Sequence, residues 1–233
     1  CRYVVDELGF DECIDYRLHP DLKSLGTALK AACPNGVDGH FENVGGVTLD
    51  AVLQRMNAFG RIAVCGDSVG GGLAAITSLL ARDARGPALR LQVMVYPDVD
   101  WRFTSPSWTT MSRDYSVTRE VAEWLRGNYL PDPAQWTDWR ASPLLAPSHA
   151  GLPPALVICP EFTPIRSDVE GYVGKLRTSG VPVDYWLAVG MVMGFVSMAG
   201  VIDAGREALD RIGAALGAAL ARGAEVLLAQ RTL

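Results

Sequence analysis

The amino-acid sequence predicts an α/β fold, a three-layer, mostly parallel sheet of about six strands. Three observations carry this. Short apolar runs bounded by Gly, Pro or Asp alternate with longer stretches of helical spacing along most of the chain. The length, 233 residues, suffices for one core that buries ~70% or more of the unfolded surface. A hydrophobic fraction of 49% with a net charge of −5 is the composition of a folded chain. Strand–helix alternation implies a parallel sheet covered by helices, and a single domain over residues 1–233 is the expectation.

In chain order the expected strands are Glu12–Tyr16, Val37–Asn43, Arg61–Cys65, Leu91–Tyr96, Ala155–Pro160 and Val183–Ala188. The expected helices are Asp21–Ala32, Thr48–Asn57, Val69–Arg82, Pro164–Ser179 and Ala204–Ala221. In the last of these Leu209, Ile212, Leu216 and Leu220 form one stripe at 3-4-4 spacing. Residues 97–154 break the rhythm. They hold five of the six tryptophans and many prolines, which predicts an insertion with one helix near Thr118–Tyr129, of the kind that forms a lid or site wall.

Charge and cysteine usage exclude several classes. Asp and Glu number 26 against 21 Lys and Arg, with no basic block to track a phosphate backbone, so nucleic acid is not an expected partner. Five cysteines at wide spacing contain no C-x-x-C pair, so no metal site and no disulfide framework is expected, and a reduced, cytoplasmic setting fits. Tyr185–Ile202 is uncharged and long enough to prompt a membrane reading. Gly190, Gly194 and Gly200 interrupt it and its first half has strand character, so no membrane association is expected. The start, Cys1-Arg2-Tyr3, suggests a truncated or processed chain.

The sharpest motif is Gly66-Asp67-Ser68-Val69-Gly70-Gly71-Gly72, directly after one expected strand and before a helix. G-x-S-x-G in this context is the pattern of a nucleophile elbow. Small residues two positions either side of Ser68 allow a sharp strand-to-helix turn that pushes the serine outward. The Val69 N–H then becomes an oxyanion donor at a helix N-terminus. The alternative is a glycine-rich turn without chemistry.

From Arg61 to Ala221 the chain resembles the hormone-sensitive-lipase-like branch of the α/β-hydrolase carboxylesterases. The matching stretches are GDSVGGGLAA at Gly66–Ala75, YPDVDW at Tyr96–Trp101, SPLLA at Ser142–Ala146, GLPPALVICPEFTPIRSD at Gly151–Asp168, SGVPVDYW at Ser179–Trp186 and GMVMGFVSM at Gly190–Met198. The resemblance implies a serine carboxylesterase with Ser68 as nucleophile. It also shows two departures, since the family's triad acid position is Thr163 and its histidine position is Met193. Met193 cannot take a proton from Ser68, and Thr163 cannot stabilise an imidazolium. Thr163 followed by Pro164 instead predicts a helix N-cap with proline at N1. Of the three histidines, His19, His40 and His149, none is expected to serve as general base; His149 is expected in a surface loop. Glu161 and Asp168 are nearby acids without a base to orient. Cys65 and Cys159 lie at strand ends, where small buried thiols are common.

Residues 1–66 resemble a different family. ELGFDECIDYR at Glu7–Arg17, KAACPNGVDGHFENVGG at Lys30–Gly46 and LDAVLQRMNAFGRIAVCG at Leu49–Gly66 are similar to the nucleotide-binding domain of medium-chain dehydrogenases of the prostaglandin and alkenal reductase type. The front is therefore read as Rossmann-like, and the chain as a chimera of a reductase-like segment 1–66 and a hydrolase-like segment 67–233. The glycine-rich pyrophosphate turn of those NADPH enzymes has no counterpart here, so no cofactor is expected. Asn43-Val44-Gly45-Gly46 is read as a strand-end turn and only loosely echoes the esterases' oxyanion loop. Missing strands leave apolar surface to cover, which predicts self-association into a homodimer or larger assembly. The functional expectation is a carboxylesterase-like protein acting weakly or not at all on a small acyl ester. The alternative is a recombined or engineered scaffold without evolved activity.

Overall fold

The computed structural model describes residues 1–42 and 46–230, with backbone alone at 41–42, 58–59 and 222–230. It divides into two compact units, Cys1–Ile62 and Ala63–Leu233, with one strand running through the boundary.

The first unit contains helix α1 (Arg2–Asp6), helix α2 (Leu22–Ala32), strand β1 (Val37–Glu42), helix α3 (Gly46–Leu53) and the first part of strand β2 (Met56–Asp67), which neighbours β1. Asp21 caps α2 by accepting the Ser24 N–H at 2.8 Å, the short-polar cap that the sequence pattern suggests. Leu25 of α2 and Ala51 and Val52 of α3 are the buried residues of the two helices. Arg55 donates to the Cys33 carbonyl at 3.1 Å, closing the end of α2.

The expected strand Glu12–Tyr16 does not form. Asp15 accepts the Arg17 N–H at 3.2 Å and pairs with the Arg17 guanidinium at 2.7 Å, starting a 3-10 turn over Tyr16–Leu18. A short acidic side chain that satisfies its own neighbouring backbone competes directly with a strand ladder. No residue of this segment is buried, so no packing reward favours the strand. Asn43–Gly45, read above as part of a strand-end turn, lie outside the described residues. The described sheet accordingly has five strands.

In the second unit the strand order is β2, β3 (Leu89–Val95), β4 (Ala155–Phe162), β5 (Val183–Val192), sequential and without interruption. β3 and β4 pair in parallel from Gln92↔Ala155 to Val95↔Ile158, and β4 and β5 from Ala155↔Val183 to Pro160↔Ala188. Val93, Met94, Val157, Ile158 and Cys159 are inaccessible to solvent on both sheet faces, the continuous burial that a covered parallel sheet requires. Helices α4 (Val69–Asp83), α7 (Arg166–Thr178) and α8 (Asp203–Gln230) follow β2, β4 and β5. Leu79 of α4, Val169, Tyr172 and Leu176 of α7, and Ala208 of α8 are buried in the core. No helix of the described residues is long and apolar enough to cross a membrane.

Residues 97–154 carry helices α5 (Ser107–Thr110) and α6 (Arg119–Tyr129) and two short 3-10 turns. Thr118 caps α6, one residue before the helix, as its position in the pattern predicts. The tryptophan-rich stretch packs inward: Val99, Trp101, Phe103 and Trp108 are buried. Arg126 of α6 fixes this layer. Its guanidinium lies 3.6 Å from the Trp136 ring centroid and 4.4 Å from that of Phe103, and donates to the Trp101 carbonyl at 2.9 Å. Stacking and hydrogen bonding together compensate the burial of that cation.

Candidate active site

The turn between β2 and α4 is built around a backbone contact that only glycine permits. A side chain at Gly66 would overlap the carbonyl group of Gly70, so the strand folds back on the first helical turn only if position 66 is bare. Gly70 contributes by bringing its backbone close; a Cβ of its own would meet open space. At the apex Ser68 has φ 55° and ψ −122°. That is a sparsely populated conformation for a residue with a side chain, costing of order 1–3 kcal/mol, and such strain collects at functional sites. The Ser68 N–H donates to Val95 at 2.9 Å, and its carbonyl receives the N–H groups of Gly72 and Asp98 at 3.2 and 3.1 Å. Its side chain takes no part in capping α4, so the hydroxyl is left for other work. Val69 is the first residue of α4, where N–H groups have no intrahelical acceptor. The elbow read from the sequence is present in its geometry.

A match to the model of the α/β-hydrolase fold runs over residues 13–197. The chain belongs to that family. It is 34% identical over 211 residues to carboxylesterase NlhH of Mycobacterium tuberculosis, covering 89% of this chain and 63% of the relative. The crystal structure of EstE1, a thermostable carboxylesterase cloned from a metagenomic library, matches with a TM-score of 0.67 and 35% identity. That match covers 85% of this chain and 63% of the other. The chain thus spans less than two thirds of these α/β-hydrolases. The NADP-dependent oxidoreductase YfmJ of Bacillus subtilis, itself named as putative, is 35% identical over 131 residues, 55% of this chain and 35% of the relative. The hydrolase match, starting at residue 13, also runs through most of the front segment.

The two positions that the resemblance assigns to an acid and a histidine, Thr163 and Met193, face each other. Thr163 follows β4, Met193 follows β5, and Thr163 Oγ1 lies 3.9 Å from Met193 Sδ. Thr163 is fully buried. The expected N-cap role is not observed: α7 begins at Arg166, after Ile165, without a side-chain cap, and Thr163 contributes only its carbonyl to the Arg166 N–H at 3.3 Å. Its hydroxyl turns to Met193 because Thr163 and Pro164 form a turn before the helix starts.

The Met193 loop is held from three sides. Glu161 accepts the Gly190 N–H at 2.8 Å, Ser116 of the 97–154 insertion donates to the Met193 carbonyl at 3.1 Å, and Gly194 takes a left-handed φ of 89°. Behind it Phe195 is fully buried, edge-on to both Tyr96 and Trp186. The Glu161 contribution had no signal in the sequence, because it depends on how the ends of β4 and β5 align.

His149 is not at a surface. It is buried, with Nε2 3.0 Å from the Pro143 carbonyl and its ring edge-on to Tyr172, and burial lowers its pKa. It is the only histidine of the second unit; His19 and His40 belong to the first. The Cys65 and Cys159 thiols are pushed up by burial to about 11 and about 12, which suppresses the thiolate that chemistry needs. All five cysteines are free, and among the described residues no cluster of His, Cys, Asp or Glu is placed to hold a metal ion.

Asp168 has a structural task. It accepts the Trp108 indole N–H at 2.9 Å, while Ser107 Oγ donates to the Pro164 carbonyl at 2.6 Å and accepts the Ser167 N–H at 3.0 Å. These bonds fasten α5 to the start of α7. Burial raises the Asp168 pKa from 3.8 to about 6. A carboxyl group raised in this direction favours folding fully below 3.8 and loses that contribution as pH rises through about 6. Asp168→Asn keeps an acceptor for Trp108 and removes the charge. Its melting temperature is expected to exceed that of the wild type at pH 8, by the equivalent of at most about 3 kcal/mol, with no advantage near pH 4. Melting curves across that range check it.

Proposed function

We propose that the protein is a carboxylesterase-type α/β-hydrolase whose acyl-transfer site is reduced to its elbow serine, with weak hydrolysis of small acyl esters. The observation that carries this is Ser68 held at φ 55° on the first turn of α4 with its hydroxyl uncommitted to the helix. The positive φ sets Ser68 at the apex of the turn, one residue before Val69, whose N–H has no intrahelical acceptor. Thr163 and Met193 occupy the acid and histidine positions, and neither transfers a proton at neutral pH. Oriented donors and binding alone still leave a modest rate over water.

Hydrolysis of a p-nitrophenyl short-chain ester by the wild type and by Ser68→Ala tests this. The wild type is expected to exceed Ser68→Ala by at least about tenfold. Equal rates would remove the esterase reading and favour the second one, a recombined scaffold without evolved activity. The lost acid and base are what favour that second reading. A reductase-derived front segment belongs with it, supported by the similarity to YfmJ.

A further inference from the structure

We infer that Asp98 takes the proton of Ser68 in place of the missing histidine, making Ser68 and Asp98 the proton-transfer pair of this site. The inference rests on the acyl-transfer reading and assigns that site its base.

Ser68 Oγ donates to Asp98 Oδ2 at 3.2 Å. The two residues are also clasped through their backbones, since the Asp98 N–H donates to the Ser68 carbonyl at 3.1 Å. Gly72 permits the approach: a side chain there would run into the Asp98 carbonyl. Hydroxyl and carboxyl group are thus registered by the same turn that builds the elbow.

Asp67, next to Ser68, faces the Tyr96 hydroxyl, and three further acids around the site are committed elsewhere. Asp100 is paired with Arg102 at 2.6 Å, Asp168 accepts from Trp108, and Glu161 holds the Gly190 N–H. Asp98 keeps some exposed surface, but its carboxyl group is enclosed, and burial pushes its pKa up to about 7. The hydrogen bond from Ser68 works against that rise, and the like charge of Asp168 on α7 adds to it; Arg102 lies next to Asp168 and Asp100. A carboxylate raised to this range is a far better base at neutral pH than an ordinary one.

The steps balance. Asp98 removes the Ser68 hydroxyl proton as Oγ bonds to the ester carbonyl carbon and the C=O electron pair moves onto oxygen beside the Val69 N–H. Collapse breaks the bond to the alcohol oxygen, which leaves with the proton from Asp98 or as a stable phenolate, in which case Asp98 releases its proton to solvent before the next step. Water then repeats the sequence on the acyl-serine, returning the proton to Ser68 and releasing the acid.

A phosphonofluoridate reads the first proton transfer without needing turnover, because Oγ–P forms while P–F breaks and fluoride leaves unprotonated. The expected result is labelling of Ser68 at a rate that rises with pH and levels off above an apparent pKa near 7. Asp98→Asn is expected to be at least about tenfold slower with a flattened profile. Labelling of Asp98→Asn at the wild-type rate, a wild-type profile without that inflection, or no label on Ser68 would overturn the inference. The wild-type profile decides even if the variant folds poorly. Asp98-dependent labelling without ester turnover removes the esterase reading alone. Ser68-dependent turnover with Asp98-independent labelling removes this inference alone.

Discussion

Replacing Thr163 with Asp and Met193 with His together is expected to raise ester hydrolysis by about 10²–10⁴-fold, the range that a positioned acid–base group contributes. The Thr163 Oγ1 to Met193 Sδ distance of 3.9 Å is the reason. Histidine Nδ1 stands the same number of bonds from the backbone as methionine Sδ. Aspartate Oδ extends one bond beyond threonine Oγ1 and closes the gap by about 1 Å, to hydrogen-bond range. The Met193 loop need not move, because Glu161, Ser116 and Gly194 hold its backbone independently of the side chain. The single variants should not share the gain. Thr163→Asp alone buries a carboxylate against a thioether and should lower stability; Met193→His alone supplies a base without an orienting partner. A double variant no faster than the wild type on a p-nitrophenyl ester would show that the loop does not present position 193 to Ser68.

Gly66→Ala is the second large effect. The added methyl group would strike backbone atoms of Gly70, not the movable tip of a side chain. Relief requires opening the turn, and overpacking of that kind costs 1–3 kcal/mol or more. Denaturant unfolding should show a loss of about 3 kcal/mol or more, and any Ser68-dependent reactivity should disappear. Gly70→Ala serves as a control, since its methyl group would face open space and alanine is the better helix former, so no loss of stability is expected.

What the sequence reveals follows the range of the interactions involved. The strand–turn–helix at 61–83 and the caps at Asp21 and Thr118 are local, and each is readable from a few neighbouring residues. The buried strands β3 and β4 are visible as mostly apolar runs, β3 being interrupted by Gln92. Glu12–Tyr16 looks like a strand by composition, but none of it is buried and Asp15 satisfies the Arg17 backbone N–H locally. Met56–Gly60 shows the same limit in milder form: β2 starts five residues before the expected Arg61, where Asn57 and Gly60 hide the pattern.

At the site, motif spacing locates Ser68, Thr163 and Met193, but which atoms meet is a tertiary fact. Thr163 was expected to cap a helix because Thr-Pro is a common start; packing of Ser107 against Pro164 and Ser167 delays the helix and frees the hydroxyl. His149 sits in a polar-looking stretch, yet the fold turns it onto Tyr172. Asp98 falls in the matching stretch Tyr96–Trp101, but its meeting with Ser68 is not legible there, because that approach depends on the bare edge of α4 at Gly72.

Ser68 is expected to act as a nucleophile although Met193, not a histidine, stands opposite Thr163. With Asp98 as the proposed base and no histidine to hold the attacking water, deacylation should lag behind acylation and the acyl-serine should accumulate. Intact-mass analysis after mixing with p-nitrophenyl butyrate, followed by peptide mapping, measures this directly. One butyryl group on Ser68, absent from Ser68→Ala, is the predicted result; an unmodified protein, or butyryl groups on other residues alone, would contradict it.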